Sequence, residues 1–274
     1  RGERCGGRQL VIVGRPPRGG LRDRIPAIMP IITLLTDFGS ADGYVGEIKG
    51  LLLSEVPGVT IVDIAHDVAA HDVESGRLAL ARYWRRYPAG TVHIAIVDPG
   101  VGSARLALAI SSDGKFLVGP DNGLLSPALL MKDVRTVALA VPPNAAPTFH
   151  GRDVFAPAAA RLARGLSIDT LGTAVADPVI RRTPEPRREP SGELVGEVLV
   201  IDRFGNAITN LPHARGSRVS VGDREFDLHR TYADLAPGTA GAVVGSSGFV
   251  EIVVRDGRAC DSLGIARGAP VRLR

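Results

Sequence analysis

From Pro30 onward the chain alternates two apolar periods. Continuous runs, IITLLTDF, VTIVDIA and TVHIAIVD, have the β-branched density of buried strands, and between them YVGEIKGLLLSEV and VESGRLALARYWRRY repeat apolar residues at helical spacing. Strands alternating with helices predict βαβ units on a parallel sheet. Strands at LALAIS and FLVGP and a helix at VFAPAAARLARG extend the same unit. Beyond residue 192 the pattern changes to short strands broken by glycine: GEVLVIDRFGNAITNL, SRVSVG, REFDLH, AGAVVGSSGFVEIVVRDG and APVRLR. With no long helical period among them, they predict a small barrel or sandwich. The expected fold class is therefore α/β: an amino-terminal open, mainly parallel sheet flanked by helices, plus a smaller carboxy-terminal all-β barrel-like domain.

Between the two patterns, RRTPEPRREPSG at residues 181–192 holds three prolines and four arginines and can bury little. It reads as a linker between an α/β domain at 30–180 and a barrel domain at 193–274. Residues 1–28 read as a basic, disordered extension, with Met29 a natural start; a short arm that docks elsewhere is the alternative.

Charge changes the picture only locally. The chain totals +4, but seven arginines against Glu3 and Asp23 give residues 1–28 a net +5 and leave −1 over the rest. No nucleic-acid surface is implied. No apolar run approaches the roughly 20 residues of a membrane span. Cys5 and Cys260 match no metal or redox spacing, which fits a reducing cytoplasm.

Ligands of open α/β sheets bind at the carboxyl ends of the strands, and four such ends here are polar. They bring Asp37 and Asp42; His66, Asp67, His71 and Asp72; Asp98 and Arg105; and Asp121 and Asn122. Any one could simply cap a helix or form a turn. TDFG and HGRD, with Asp153, echo two protein-kinase elements, but in the wrong order and without a glycine-rich loop or strand lysine. HDVAAHD offers four metal donors but lacks the helical spacing of paired-histidine sites. His150 opens a polar turn just before a helix, where a histidine can act instead of packing.

TDFGSADGYVGEIKG, VDPGVGSAR, PDNGLL, FHGRDVFAPAAA and DRFGNAITNL, in this order, closely resemble the S-adenosyl-L-methionine (SAM) hydrolases that form adenosine. These are also called SAM hydroxide adenosyltransferases and are related to SAM-dependent fluorinase and chlorinase. The resemblance spans residues 30–274. It implies a homotrimer in which SAM lies between the first domain of one subunit and the second domain of its neighbour. Water or hydroxide would attack C5′ of the ribose, releasing adenosine and L-methionine, with no cofactor or metal.

By the same resemblance Asp98, Arg105 and His150 form the catalytic set, where the halogenases depart. Asp37 would meet the ribose diol, and Asp42 and Tyr44 the methionine end. Asp202 would meet the methionine ammonium, Phe204 and Asn206 the adenine, and Ser246 or Ser247 the methionine carboxylate, where the halogenases' arginine is missing. The alternatives are a SAM- or adenosine-binding module without turnover and, less well matched, a halogenase.

Overall fold

The computed structural model describes Gly2, residues 29–212 and residues 216–274. The expectations for the amino-terminal extension lie outside the described residues. Seven strands build the first unit: β1 (Ile31–Thr36), β2 (Thr60–Ala65), β3 (Val92–Ile96), β4 (Ala107–Ser112), β5 (Lys115–Pro120), β6 (Arg135–Leu139) and β7 (Gly172–Ala174). They lie in the order β2-β1-β3-β5-β4-β6-β7. The pairs β1–β2, β1–β3 and β3–β5 are parallel, whereas β4–β5, β4–β6 and β6–β7 are antiparallel. The parallel half carries the predicted βαβ units. The antiparallel half arises because only Asp113 and Gly114 separate β4 from β5, too few residues for a crossover.

Four helices cover this sheet: α1 (Tyr44–Glu55), α2 (Val73–Tyr83), α3 (Ser126–Leu129) and α4 (Ala156–Ala163). On α1, Val45, Ile48 and Leu52 fall at helical spacing and pack with Ile32 and Leu34 of β1 and with α4. Burying each such side chain is worth about 1.5–3 kcal/mol. Asp72 caps α2 by accepting from Ser75 N at 3.1 Å. That helix packs Leu80 on the opposite face of the sheet, with Leu35, Leu125 and Ala128. Because α1 and α2 lie on opposite faces, the winding direction reverses between β1 and β3.

The second unit comprises β8 (Arg187–Arg188), β9 (Leu194–Ile201), β10 (Ala207–Pro212), β11 (Arg218–Val221), β12 (Arg224–His229), β13 (Ala240–Val244), β14 (Phe249–Val254), α5 (Ala259–Leu263) and β15 (Pro270–Leu273). Pairing of β10 with β9 closes seven strands into a barrel, leaving β8 as an outer addition to β9. Closure removes the exposed edges an open sheet would carry. Among the described residues, no helix is long and apolar enough to cross a membrane.

Candidate active site

In a doubly wound sheet the ligand crevice opens where the winding reverses, outside the carboxyl ends of the strands. Here those ends are β1 and β3, and the residues that follow them are Asp37 and Asp98. Two more segments reach the same edge. Antiparallel β4 starts there, bringing Arg105, and β6 ends there, leading to a loop that closes on His150. Asp153 fixes that loop by accepting from Ala146 N at 2.8 Å. After His150 the chain makes a π-helical turn, Gly151–Phe155, before α4 begins.

Asp98, Arg105 and His150 meet. Arg105 donates to Asp98 through Nε at 3.1 Å and through Nη2, and the same Nη2 lies 3.0 Å from His150 Nδ1. The side chains of Asp98 and Arg105 are 5% and 9% exposed. A guanidinium can only donate, so His150 Nδ1 is the acceptor and a neutral His150 carries its proton on Nε2. Burial, then the Arg105 charge, lowers the His150 pKa, partly offset by Asp98 and Asp153. Arg105 Nη1 is buried without a hydrogen-bond partner among the described residues.

Glycine is required in the loop that joins Asp98 to Arg105. Gly102 has φ +77°, and a Cβ there would lie 2.6 Å from Pro147 O. The loop therefore packs directly on the segment that carries His150.

Asp98 and His150 line a cavity of about 120 Å³ with Phe38, Tyr44 and Phe149. The three aromatic rings meet edge to face at centroid distances of 5.3–6.2 Å. Phe38 and Phe149 are missing from the residues singled out by sequence, although each adjoins one, in TDFG and TFHG. Asp37 stands on the same edge and accepts from His71 N at 2.9 Å. Asp42 is exposed in the turn before α1. Asp121 and Asn122 hold the scaffold: Asp121 accepts from Val179 N at 2.8 Å, and Asn122 Nδ2 donates to Val97 O at 2.8 Å.

The remaining expected residues lie in the second unit, away from this cavity. Asp202 Oδ1 accepts from Phe204 N at 2.9 Å and Asn206 N at 2.8 Å, and Oδ2 accepts from Asn206 Nδ2 at 3.0 Å. Phe204 is 73% exposed. Ser246 and Ser247 line a separate cavity, beside α2. Within one chain the expected site thus falls into two half-sites, and among the described residues none of the second unit lines the Asp98 cavity.

The metal alternative at HDVAAHD fails on geometry. His66 bridges Thr36 Oγ1 (2.9 Å) and Asp63 Oδ1 (3.0 Å), Asp67 pairs with Arg203, and Asp72 caps α2 and pairs with Arg267. Among the described residues, no three His, Cys, Asp or Glu side chains converge as metal ligands would. Sequence reasoning also missed Glu251, a buried acid within β14 whose carboxylate accepts from Tyr232 OH at 3.1 Å. An acid in FVEIVV, among buried apolar positions, was the available signal.

A charged cluster at the switch point of a doubly wound sheet, joined to a closed barrel, defines a two-domain protein built to bind a small polar ligand. The comparisons are more particular. The SAM hydroxide adenosyltransferase N-terminal domain matches residues 32–172, and the C-terminal domain of the same family matches residues 196–272. The chain belongs to this family. It is 42% identical to an (R)-S-adenosyl-L-methionine hydrolase of Thermus thermophilus over 88% of this chain and 98% of that protein. A fluorinase of Actinoplanes sp. is 30% identical over 70% of this chain and 75% of its own length. A conserved protein of Thermotoga maritima, known from its crystal structure, superposes with a TM-score of 0.80 at 31% identity, covering 88% of this chain and 99% of that one.

Proposed function

We propose that this protein hydrolyses SAM to adenosine and L-methionine. One observation carries this: Asp98, Arg105 and His150 form a closed, buried set at the switch point, opening on an aromatic cavity. The name of the Thermus thermophilus relative supports it.

In the reaction the water oxygen bonds to C5′ as the C5′–S bond breaks, its electron pair passing to sulfur. Methionine leaves as a neutral thioether, so no acid is needed at the leaving group. The demand is to hold an oxygen in line behind C5′. A water in the cavity receives a hydrogen bond from His150 Nε2–H and donates one to Asp98. Attack turns that water into a protonated alcohol, a strong acid, so even a carboxylate held by Arg105 is basic enough to take its proton. Arg105 orients the Asp98 carboxylate and keeps His150 in the tautomer that donates.

Substrate contacts follow the two half-sites. Asp37 takes the ribose diol, with Asp42 and Tyr44 toward the methionine end. Asp202 takes the ammonium, Phe204 and Asn206 the adenine, and Ser246 or Ser247 the carboxylate. Their separation within one chain, and the exposure of Phe204, favour completion of each site by a neighbour's barrel, in the homotrimer that the resemblance implies. A cytoplasmic setting goes with a chain of only two cysteines, of which Cys260 forms no disulfide among the described residues.

Chromatography of purified protein incubated with SAM in chelator-treated buffer tests the reaction. Adenosine and methionine should appear in equal amounts and disappear with Asp98→Asn and with His150→Ala. Binding of SAM without products would make the protein a binding module.

A further inference from the structure

Arginines line the seam between the two units. Arg77 pairs with Glu74, Arg203 with Asp67 at 3.3 Å and Arg267 with Asp72 at 2.9 Å. Arg82, on the last turn of α2, differs: its Nη2 donates to Ser246 Oγ at 3.0 Å, and among the described residues it forms no ion pair. Arg86 lies one turn on, its Nε donating to Arg82 O at 3.2 Å.

Both arginines face a cavity of about 550 Å³ that Thr183, Ser246, Ser247 and Phe249 also line. Two guanidinium groups and three hydroxyls, with no carboxylate on the wall among the described residues, suit an anion. Acids stand close by. The charges of Arg82 and Asp202 both reach Glu251 and Tyr232, so cation and carboxylates share one neighbourhood. Val200 lines both this cavity and the one that Asp202 borders. A cationic and hydroxyl-rich wall beside an acidic one is the complement of an α-amino acid, with its carboxylate and ammonium on one carbon.

We infer that Arg82, reaching across the seam to Ser246, binds the α-carboxylate of SAM while Asp202 takes its ammonium. This rests on the hydrolysis proposed above and assigns the carboxylate contact to a residue of the first unit. It also accounts for Ser247: with a guanidinium arriving from α2, the GSSGF loop needs no arginine of its own.

The test compares SAM with its analogue lacking the carboxyl group, in wild type, Arg82→Gln and Arg82→Lys. Wild type should favour SAM, and Arg82→Gln should raise KM for SAM by roughly 10- to 100-fold, the worth of one charge-assisted hydrogen bond. The same variant should alter kcat/KM for the analogue by less than about threefold, so that the preference vanishes, and Arg82→Lys should restore part of it. A preference that survives Arg82→Gln, or an equal loss on both substrates, overturns the assignment. If wild type forms no adenosine, hydrolysis itself fails; calorimetric Kd values of SAM and the analogue for the same proteins then decide the role of Arg82 by the same ratio.

Discussion

Arg105 holds Asp98 by two nitrogens of one guanidinium, Nε 3.1 Å from Oδ1 and Nη2 against Oδ2, with both side chains more than nine-tenths buried. Removing one partner of such a pair leaves the other charge buried alone, at about 3–5 kcal/mol. Arg105→Ala should therefore unfold at markedly lower urea than wild type. Asp98→Asn with Arg105→Gln leaves no charge to strand and should recover most of that loss, while hydrolysis stays at least about 100-fold down. Activity returning with stability in the double variant would reduce the pair to a structural clamp.

The contact between Arg105 and His150 fixes a pH dependence. Burial, then the Arg105 charge, lowers the His150 pKa below its usual 6.5. Below pH 6.5 the unfolded chain then binds a proton that the folded one refuses, so this histidine weakens the fold progressively as pH falls and has no such effect above 6.5. Protonation would also set an Nδ1–H against the Arg105 donor. The acid limb of kcat/KM should accordingly lie below pH 6.5, and the imidazole of His150, followed by NMR, should titrate there too. Arg105→Gln removes the cation but keeps the Asp98 charge, so the midpoint should move upward. A midpoint that stays put would mean that the two groups do not touch in solution.

Glycine at 102 is a steric requirement, unlike glycine at 100. Gly102 combines φ +77° with a Cβ position 2.6 Å from Pro147 O, whereas a Cβ at Gly100 meets nothing nearer than Ser103 Oγ at 3.4 Å. Gly102→Ala should cost about 1–3 kcal/mol of stability. By moving the Asp98 loop off the segment that carries His150 it should also slow hydrolysis by roughly 100-fold, the effect of a misplacement near 1 Å. Gly100→Ala should be nearly silent in both denaturation and turnover assays.

Local periodicity made much of this architecture legible. The runs feeding β1 and β3 are apolar because these parallel strands are covered on both faces, and a carboxylate following β3 therefore stands out. Asp98, Arg105 and His150 could be named because each sits in a short motif at a strand or helix boundary. What escaped depends on contacts remote in sequence. β6 and β7 are five and three residues long and join the sheet's antiparallel half through pairings that no local pattern encodes. Arg82 looks like an ordinary exposed helical arginine until Ser246, 164 residues later, folds against it. Glu251 had a signal, a lone acid in an apolar strand, but its partner Tyr232 lies in the turn between β12 and β13.

The separation of the two half-sites makes a prediction about assembly. Among the described residues, none from the barrel lines the Asp98 cavity, and Phe204, expected on the adenine, is 73% exposed. If each site takes its first half from one subunit and its second half from the next, Asp98→Asn and Asp202→Asn damage different halves of every site. Either variant alone should be inactive. Co-expressed in equal amounts, they should form mixed trimers in which roughly a quarter of the interfaces are intact, and activity should return to about that fraction of wild type. Sedimentation of the mixture should give the mass of a trimer. A mixture no more active than its parents would place both halves of the site in one chain.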